Sequence, residues 1–343
     1  MRYRSWRLPA SIVAILLIAA TAGAPPLLPP SLSIRQSENA VAVVTVLERV
    51  EADRLRVRRD VVLQEDFVVV DGGLEPPTEI VVTVGEEVAA GATVGEAYIL
   101  GYTSLNPVPK QKHTFSVDPE GPQIFRIPSV GPALLPDSPP LRKLVTPRAT
   151  EEELSPRERL DLILAQLEEP GLLARRFVVA ELALWRNLPE ALTAKDIERF
   201  RTVLEAGELA PESREYLLRV FLPLHETWGG DWVAAEARRA ITEYDPEMDL
   251  ASGGPALVKQ ALEALAVVGR PEDTARVLEF LSSNNAAVTL EAFRTAVALD
   301  PAHTEKVAED LFWEGDLPGD TMDELTRFLS DRQAAREPAE DPS

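Results

Sequence analysis

The feature that most constrains this chain is a change of apolar period part-way along it. Over residues 40–127 apolar side chains recur at every second position, and from residue 151 to about 336 they recur at the three-to-four spacing of helices. In the first stretch Leu55, Val57, Val61 and Leu63 alternate with Arg54, Arg56, Arg58 and Val62, the mark of a half-buried strand. A run from Val41 to Val50 precedes it across Glu51-Ala52-Asp53, a short hairpin connection. Further strands are expected at 67–70, 80–84, 97–102, 114–117 and 124–127. Turn residues at Asp71-Gly72-Gly73, Gly85-Glu86, Asn106-Pro107 and Glu120-Gly121-Pro122 separate them. Six or seven short strands in about 90 residues predict a small antiparallel barrel or sandwich.

The second stretch breaks into helices of about 12 to 16 residues. Ser155-Pro156 followed by Glu158 is a helix start with proline at the first helical position, and Leu160, Ile163, Leu164 and Leu167 form the stripe behind it. Other starts are Thr193-Ala194-Lys195-Asp196, Asp231, Pro271-Glu272-Asp273 and Asp320, with breakers at Pro170-Gly171, Pro189, Gly229-Gly230, Gly253-Gly254 and Gly315. About ten helices result, or five antiparallel pairs. One stretch repeats: Ala261-Leu262 and Leu265 reappear as Ala292-Phe293 and Ala296, and Val277 and Leu281 reappear as Val307 and Leu311. A spacing of about 30 residues is expected of stacked helix pairs, none of which buries its apolar face alone.

Two resemblances follow from these residues. Val61-Val62-Leu63 at the end of the first hairpin, then Val94-Gly95-Glu96-Ala97-Tyr98-Ile99-Leu100, then Gly121-Pro122-Gln123-Ile124-Phe125-Arg126-Ile127 resemble in order the small bacterial OB-like barrels related to netrin-like and tissue-inhibitor modules. Gln64-Glu65-Asp66 departs from that pattern, where a Lys-Gly pair is usual. The resemblance implies a fold rather than an activity. The Ala-Leu repeats with the turn Gly269-Arg270-Pro271-Glu272-Asp273 resemble short HEAT-like repeats of the phycobilisome-lyase type, most closely over 255–315. The expected architecture is therefore multidomain, β then all-α: a small antiparallel OB-like β-barrel (38–127) followed by an α-solenoid of HEAT-like helix pairs (151–332).

The remaining segments are read from composition. Arg2, Arg4 and Arg7 precede an apolar stretch centred on 12–18 and the small residues Ala20-Thr21-Ala22, a secretory signal peptide over 1–22 with cleavage after Ala22. The alternative is an uncleaved inner-membrane anchor, but the apolar run of about 15 residues is short of the roughly 20 that span a bilayer. Residues 23–37, which include Pro25, Pro26, Pro29 and Pro30, are expected to be an extended spacer. Residues 128–150, with six prolines, are expected to be a linker without regular structure. A charged tail over 333–343 is expected to be disordered.

Charge and composition narrow the function. The formal charge of −21 becomes −24 without the three n-region arginines, which argues against nucleic acid and anionic membrane surfaces as partners. With no cysteine, disulfides, thiolate catalysis and an acylated N-terminal cysteine are all excluded.

No catalytic, cofactor-binding or metal site is expected. The three histidines, His113, His225 and His303, stand alone, and closed metal sites take about four ligands. Nucleophile-elbow and phosphate-loop motifs are missing. Asp245, Glu247 and Asp249 alternate as in a calcium loop, but Leu250 and Ala256 stand where its glycine and bidentate glutamate belong. Two groups of residues are candidates for partner binding. Arg54, Arg56 and Arg58 place a positive stripe on one strand face, against the alternative of a solvated face paired with residues such as Glu48. Trp228 and Trp232 flank a glycine turn, where indoles line a groove or fill the core between repeats. The expected function is a non-enzymatic binding or scaffold protein of the bacterial cell envelope, exported to the periplasm, with another envelope protein held on the helical repeats. A carboxylate-dependent hydrolase with its site between the two domains is the second expectation, and an inhibitor-like β-module the third.

Overall fold

The computed structural model describes residues 29–36, 40–64, 78–103, 123–124, 126–127, 130–146, 154–169, 171–185, 191–228, 230–314 and 317–336. The expected signal segment, the expected strands at 67–70 and 114–117, and His113 lie outside the described residues.

A small, largely antiparallel sheet comes first. β1 (Ala40–Glu51) and β2 (Arg54–Gln64) form the expected hairpin. The Asp53 carbonyl at its turn accepts from the Val84 N–H at 2.8 Å, which ties the turn to the end of β3 (Glu79–Thr83). β2 pairs with β3, and the other edge of β1 pairs with β4 (Ala97–Thr103), with Val43 opposite Ile99. β5 (Gln123–Ile124) pairs with β3 in parallel and with β4 antiparallel. The expected strand at 124–127 is divided: β6 (Arg126–Ile127) turns away to pair with β7 (Gly131–Pro132), and β8 (Leu134–Pro136) adds to β4. Between β3 and β4 lies a helix that turn chemistry alone did not reveal, α2 (Glu86–Gly91). Gly85 enters it at φ 87°, a conformation that favours glycine.

Residues 40–44 read as an unbroken apolar run because both faces of β1 are covered there. Ala40, Ala42, Val44 and Val46 join Leu55, Val57, Val82 and Leu100 in one cluster. Val41, one register over, joins Ile99, Leu135 and the helices in another. A strand buried on both sides loses the polar half of its alternation. The second cluster runs without a break from the sheet into the helical part, through Ile127, Val130, Leu135, Leu141 and Leu144.

The proline-rich segments correct two expectations. Within 128–150, β7, β8 and the helix α3 (Pro139–Val145) are regular structure, and Leu141, Leu144 and Val145 are completely buried. The prolines sit where they are tolerated: Pro139 and Pro140 open a helix capped by Ser138, and Pro136 ends a strand at the sheet edge. Within the expected spacer, α1 (Pro30–Gln36) likewise starts at a proline, and its Ser31 and Ile34 are buried. At the other end the last helix continues to Arg336, past the expected start of the tail, because Gln333 to Arg336 are good helix formers.

The rest of the described chain is helical: α4 (Pro156–Glu168), α5 (Leu172–Leu184), α6 (Ala194–Glu205), α7 (Pro211–Phe221), α8 (Gly230–Glu243), α9 (Gly254–Val268), α10 (Thr274–Glu279), α11 (Ala286–Leu299), α12 (Pro301–Glu314) and α13 (Gly319–Arg336). The helix starts expected at Ser155 and Thr193 begin α4 and α6, each closed by a capping box, Ser155/Glu158 and Thr193/Asp196. One row is built by α5 on α7, α7 on α9, α9 on α11 and α11 on α13. Its core is mainly apolar, with the repeated Ala261, Leu262 and Leu265 of α9 and Ala292, Phe293 and Ala296 of α11 buried in it, and the Thr295 hydroxyl donates to the Leu262 carbonyl at 3.0 Å between these two helices.

The second row, α4, α6, α8 and α10, is tied together by arginines. Arg157 of α4 reaches Asp196 of α6 at 2.6 Å, and Arg199 returns from α6 to Glu168 at 2.5 Å. Arg239 of α8 donates to the Leu204 carbonyl at 2.9 Å. Arg276 of α10 donates to the Ile241 and Tyr244 carbonyls at 2.7 and 2.9 Å, satisfying the open end of α8.

Candidate functional site

The row α7, α9, α11 and α13 carries a line of charged side chains that runs from the buried Glu215 to the exposed Arg219, Arg294 and Arg327. Each helix contributes one acid and one base three or four positions apart: Glu215 and Arg219, Lys259 and Glu263, Glu291 and Arg294, Glu324 and Arg327. That spacing places both members on one helix face. Arg219 with Glu215 and Lys259 with Glu263 are ion-paired within their helices. Arg294 crosses from α11 to Glu324 of α13 at 3.3 Å, and Arg327 meets the same carboxylate at 3.4 Å.

Glu291 differs from the other acids of this line. Its carboxylate enters no ion pair among the described residues. Burial pushes its pKa up, the negative field of Glu263 adds to that, and Lys259 and Arg294 offset part of it. Glu215, only 6% exposed, is raised for the same leading reason, against the pull of Arg219, and it also feels Glu263 and Lys259. The carboxylates of three successive helices therefore share one electrostatic field.

The arginine stripe lies where the alternation put it. Leu55 and Val57 are buried, while Arg56 and Arg58 point outward. Each arginine already has a carboxylate: Arg54 with Glu51 at 3.5 Å, Arg56 with Glu48 at 3.1 Å, and Arg58 with Asp60 at 2.7 Å. Trp232 packs edge-on against Phe221, with centroids 4.9 Å apart, and Phe221 in turn against Phe200 at 5.1 Å. Trp228 packs against the same core. The structure does not bring the arginine stripe and the two tryptophans together: the stripe is on the sheet, and the indoles are among α6, α7 and α8.

Cavities among the described residues include two with distinct linings. One, of about 120 Å³, lies between α6 and α8 and is lined by Trp232, Leu204, Glu205 and Glu236 together with Arg201 and Arg239. Glu236 is raised by burial, but Arg214 at 2.5 Å and Arg239 hold it in an ion network. The other, of about 230 Å³, is lined by sheet residues including Asp53 and Arg126. Neither draws on both the sheet and the helical part. No group of three or more His, Asp or Glu side chains among the described residues is arranged to hold a metal ion, and no described helix is long and apolar enough to cross a membrane.

Deepest in the molecule is an ionic cluster that pattern reading missed. The Glu181 carboxylate accepts from the Ser31 backbone N–H at 2.9 Å, from Arg159 at 2.7 Å and from the Trp185 indole at 2.5 Å, and also from the Ser31 hydroxyl. The Arg159 guanidinium lies 3.7 Å from the Trp185 ring centroid. The signals in sequence were Glu181 within the apolar run of α5 and Arg159 beside Leu160 of α4. Comparison with protein-family models, with curated proteins and with solved structures finds no match.

Proposed function

We propose that this protein is a non-enzymatic binding or scaffold protein that holds a protein partner along the charged edge of α7, α9, α11 and α13. The observation that carries this reading is the recurrence of one acid and one base on each of four successive packed helices, with Glu291 in no ion pair among the described residues. An extended surface built from stacked helices presents equivalent positions at regular intervals, which suits a long partner better than a small substrate. Packing of one helix on the next through α5, α7, α9, α11 and α13 supports an α-solenoid of HEAT-like repeats. The pairings β1–β2–β3–β5–β4, with β4 returning to β1 and a helix between β3 and β4, support an OB-like barrel. The positive n-region and apolar stretch at the N-terminus support export to the periplasm of a bacterial envelope.

Crosslinked co-purification from envelope extract tests the binding reading. The wild-type chain should retain a partner that the double variant Glu263→Lys/Glu291→Lys loses, while Glu87→Lys on the sheet side keeps it. Equal recovery by all three, or none by the wild type, would count against it.

A further inference from the structure

We propose that the last part of the helical array, at the C-terminal end of α12, is a second contact point, where Trp313 anchors in an apolar pocket rimmed by basic residues on a partner protein. This rests on the binding reading above and adds where and by what chemistry the partner is gripped. Trp313 is 84% exposed and Phe312 40% exposed, with the two rings edge to face at 5.6 Å. These two adjacent aromatics stand on the exposed surface at the end of α12. Single exposed apolar residues are ordinary, but a Trp–Phe pair in edge-to-face contact is the kind of side-chain group that dominates binding energy.

The surrounding charge selects the occupant. Glu309 and Asp310 are exposed four and three positions before Trp313, on the same helix face. A second copy of this chain brings the same carboxylates and a formal charge of −21, so like charges would meet across the contact. The chain's own last residues, with Glu337, Glu340 and Asp341, are acidic and lack an apolar side chain larger than alanine or proline. Nucleic acid and anionic lipid are repelled for the same reason. A protein surface bearing lysine or arginine around an apolar pocket satisfies both the indole and the carboxylates, and near the indole face those cations gain a further attraction.

The test is selection from a displayed library of random 12-residue peptides on the full-length chain, with Trp313→Ala as counter-target. Since Trp313 is almost wholly outside the fold, that variant should unfold at the wild-type midpoint. Surviving peptides should combine basic and apolar residues. They should bind about tenfold or more weakly to Trp313→Ala and to Glu309→Lys/Asp310→Lys, and unchanged to Glu87→Lys. Peptides indifferent to Trp313→Ala would overturn the inference. So would binding of Trp313 to phosphatidylcholine vesicles, or a dimer in sedimentation that the Ala variant abolishes. Peptides that compete instead at Glu263 and Glu291 would remove this contact point and leave the binding reading intact. Recovery of no peptide at either surface would remove both.

Discussion

Arg159 and Glu181 face each other at 2.7 Å with side chains 2% and 0% exposed, and Ser31 of the N-terminal helix closes the same cluster. Two adjacent helices thus hold α1 in place through a desolvated charge pair. Removing one member leaves the other buried and uncompensated, at a cost of about 3–5 kcal/mol. Glu181→Gln should therefore lower the unfolding free energy by about that amount in urea denaturation. Ser31→Ala, which removes one hydroxyl donor, should cost about 1 kcal/mol. The double variant Arg159→Met/Glu181→Leu should be more stable than Glu181→Gln, because no charge is stranded. Equal losses in all three would contradict the cluster as described.

Asp196 gives the fold a pH dependence of known sign. Burial raises its pKa, but hydrogen bonds from Arg157 and Thr193 outweigh burial and hold it at about 2, against 3.8 in an open chain. The unfolded chain thus binds this proton more tightly. The stabilisation is full above about pH 4 and is lost as pH falls through about 2, and it amounts to about 2 kcal/mol. Asp196→Asn should be less stable than wild type by about 2 kcal/mol at pH 7, with the gap closing between pH 4 and pH 2. Denaturant midpoints at pH 7, 4 and 2.5 measure this, and a gap that does not change with pH would refute it.

Arg276 links successive helices of the second row through two backbone carbonyls that α8 leaves open. Arg276→Ala should cost about 2–3 kcal/mol. Arg276→Lys should recover less than half, since an ammonium does not reproduce the planar fork that reaches both carbonyls. Thermal unfolding followed by circular dichroism separates the two.

Glycines at two helix starts should behave oppositely. A methyl group on Gly254 would sit 2.5 Å from Cε1 of Tyr244, whereas one on Gly319 meets nothing within 4 Å. Gly254→Ala should therefore destabilise by about 1–3 kcal/mol. Gly319→Ala should be neutral or slightly stabilising in the same melting experiment.

Much of this architecture was legible in sequence because period and capping are local signals. The Leu55/Val57 alternation, the helix starts at Ser155 and Thr193, and the Ala261/Ala292 repeat all appear as regular structure where they were expected. Proline density misled because what matters is where each proline falls. Pro30, Pro139 and Pro156 all sit at helix starts, where no N–H is required. The charged edge was hidden for a different reason. Glu215, Glu263, Glu291 and Glu324 are separated by 28 to 48 positions, and in a chain with 56 acidic residues only packing distinguishes these four. Trp313 was visible as a tryptophan, but its exposure depends on what α13 leaves uncovered.

A photo-reactive residue placed at position 291 measures the partner-binding edge most directly. Irradiation of cells should yield one discrete higher-mass adduct from position 291 and none from position 201, which is exposed on α6 in the other row. No adduct at 291, or the same adduct from both positions, would contradict a partner held along α7, α9, α11 and α13.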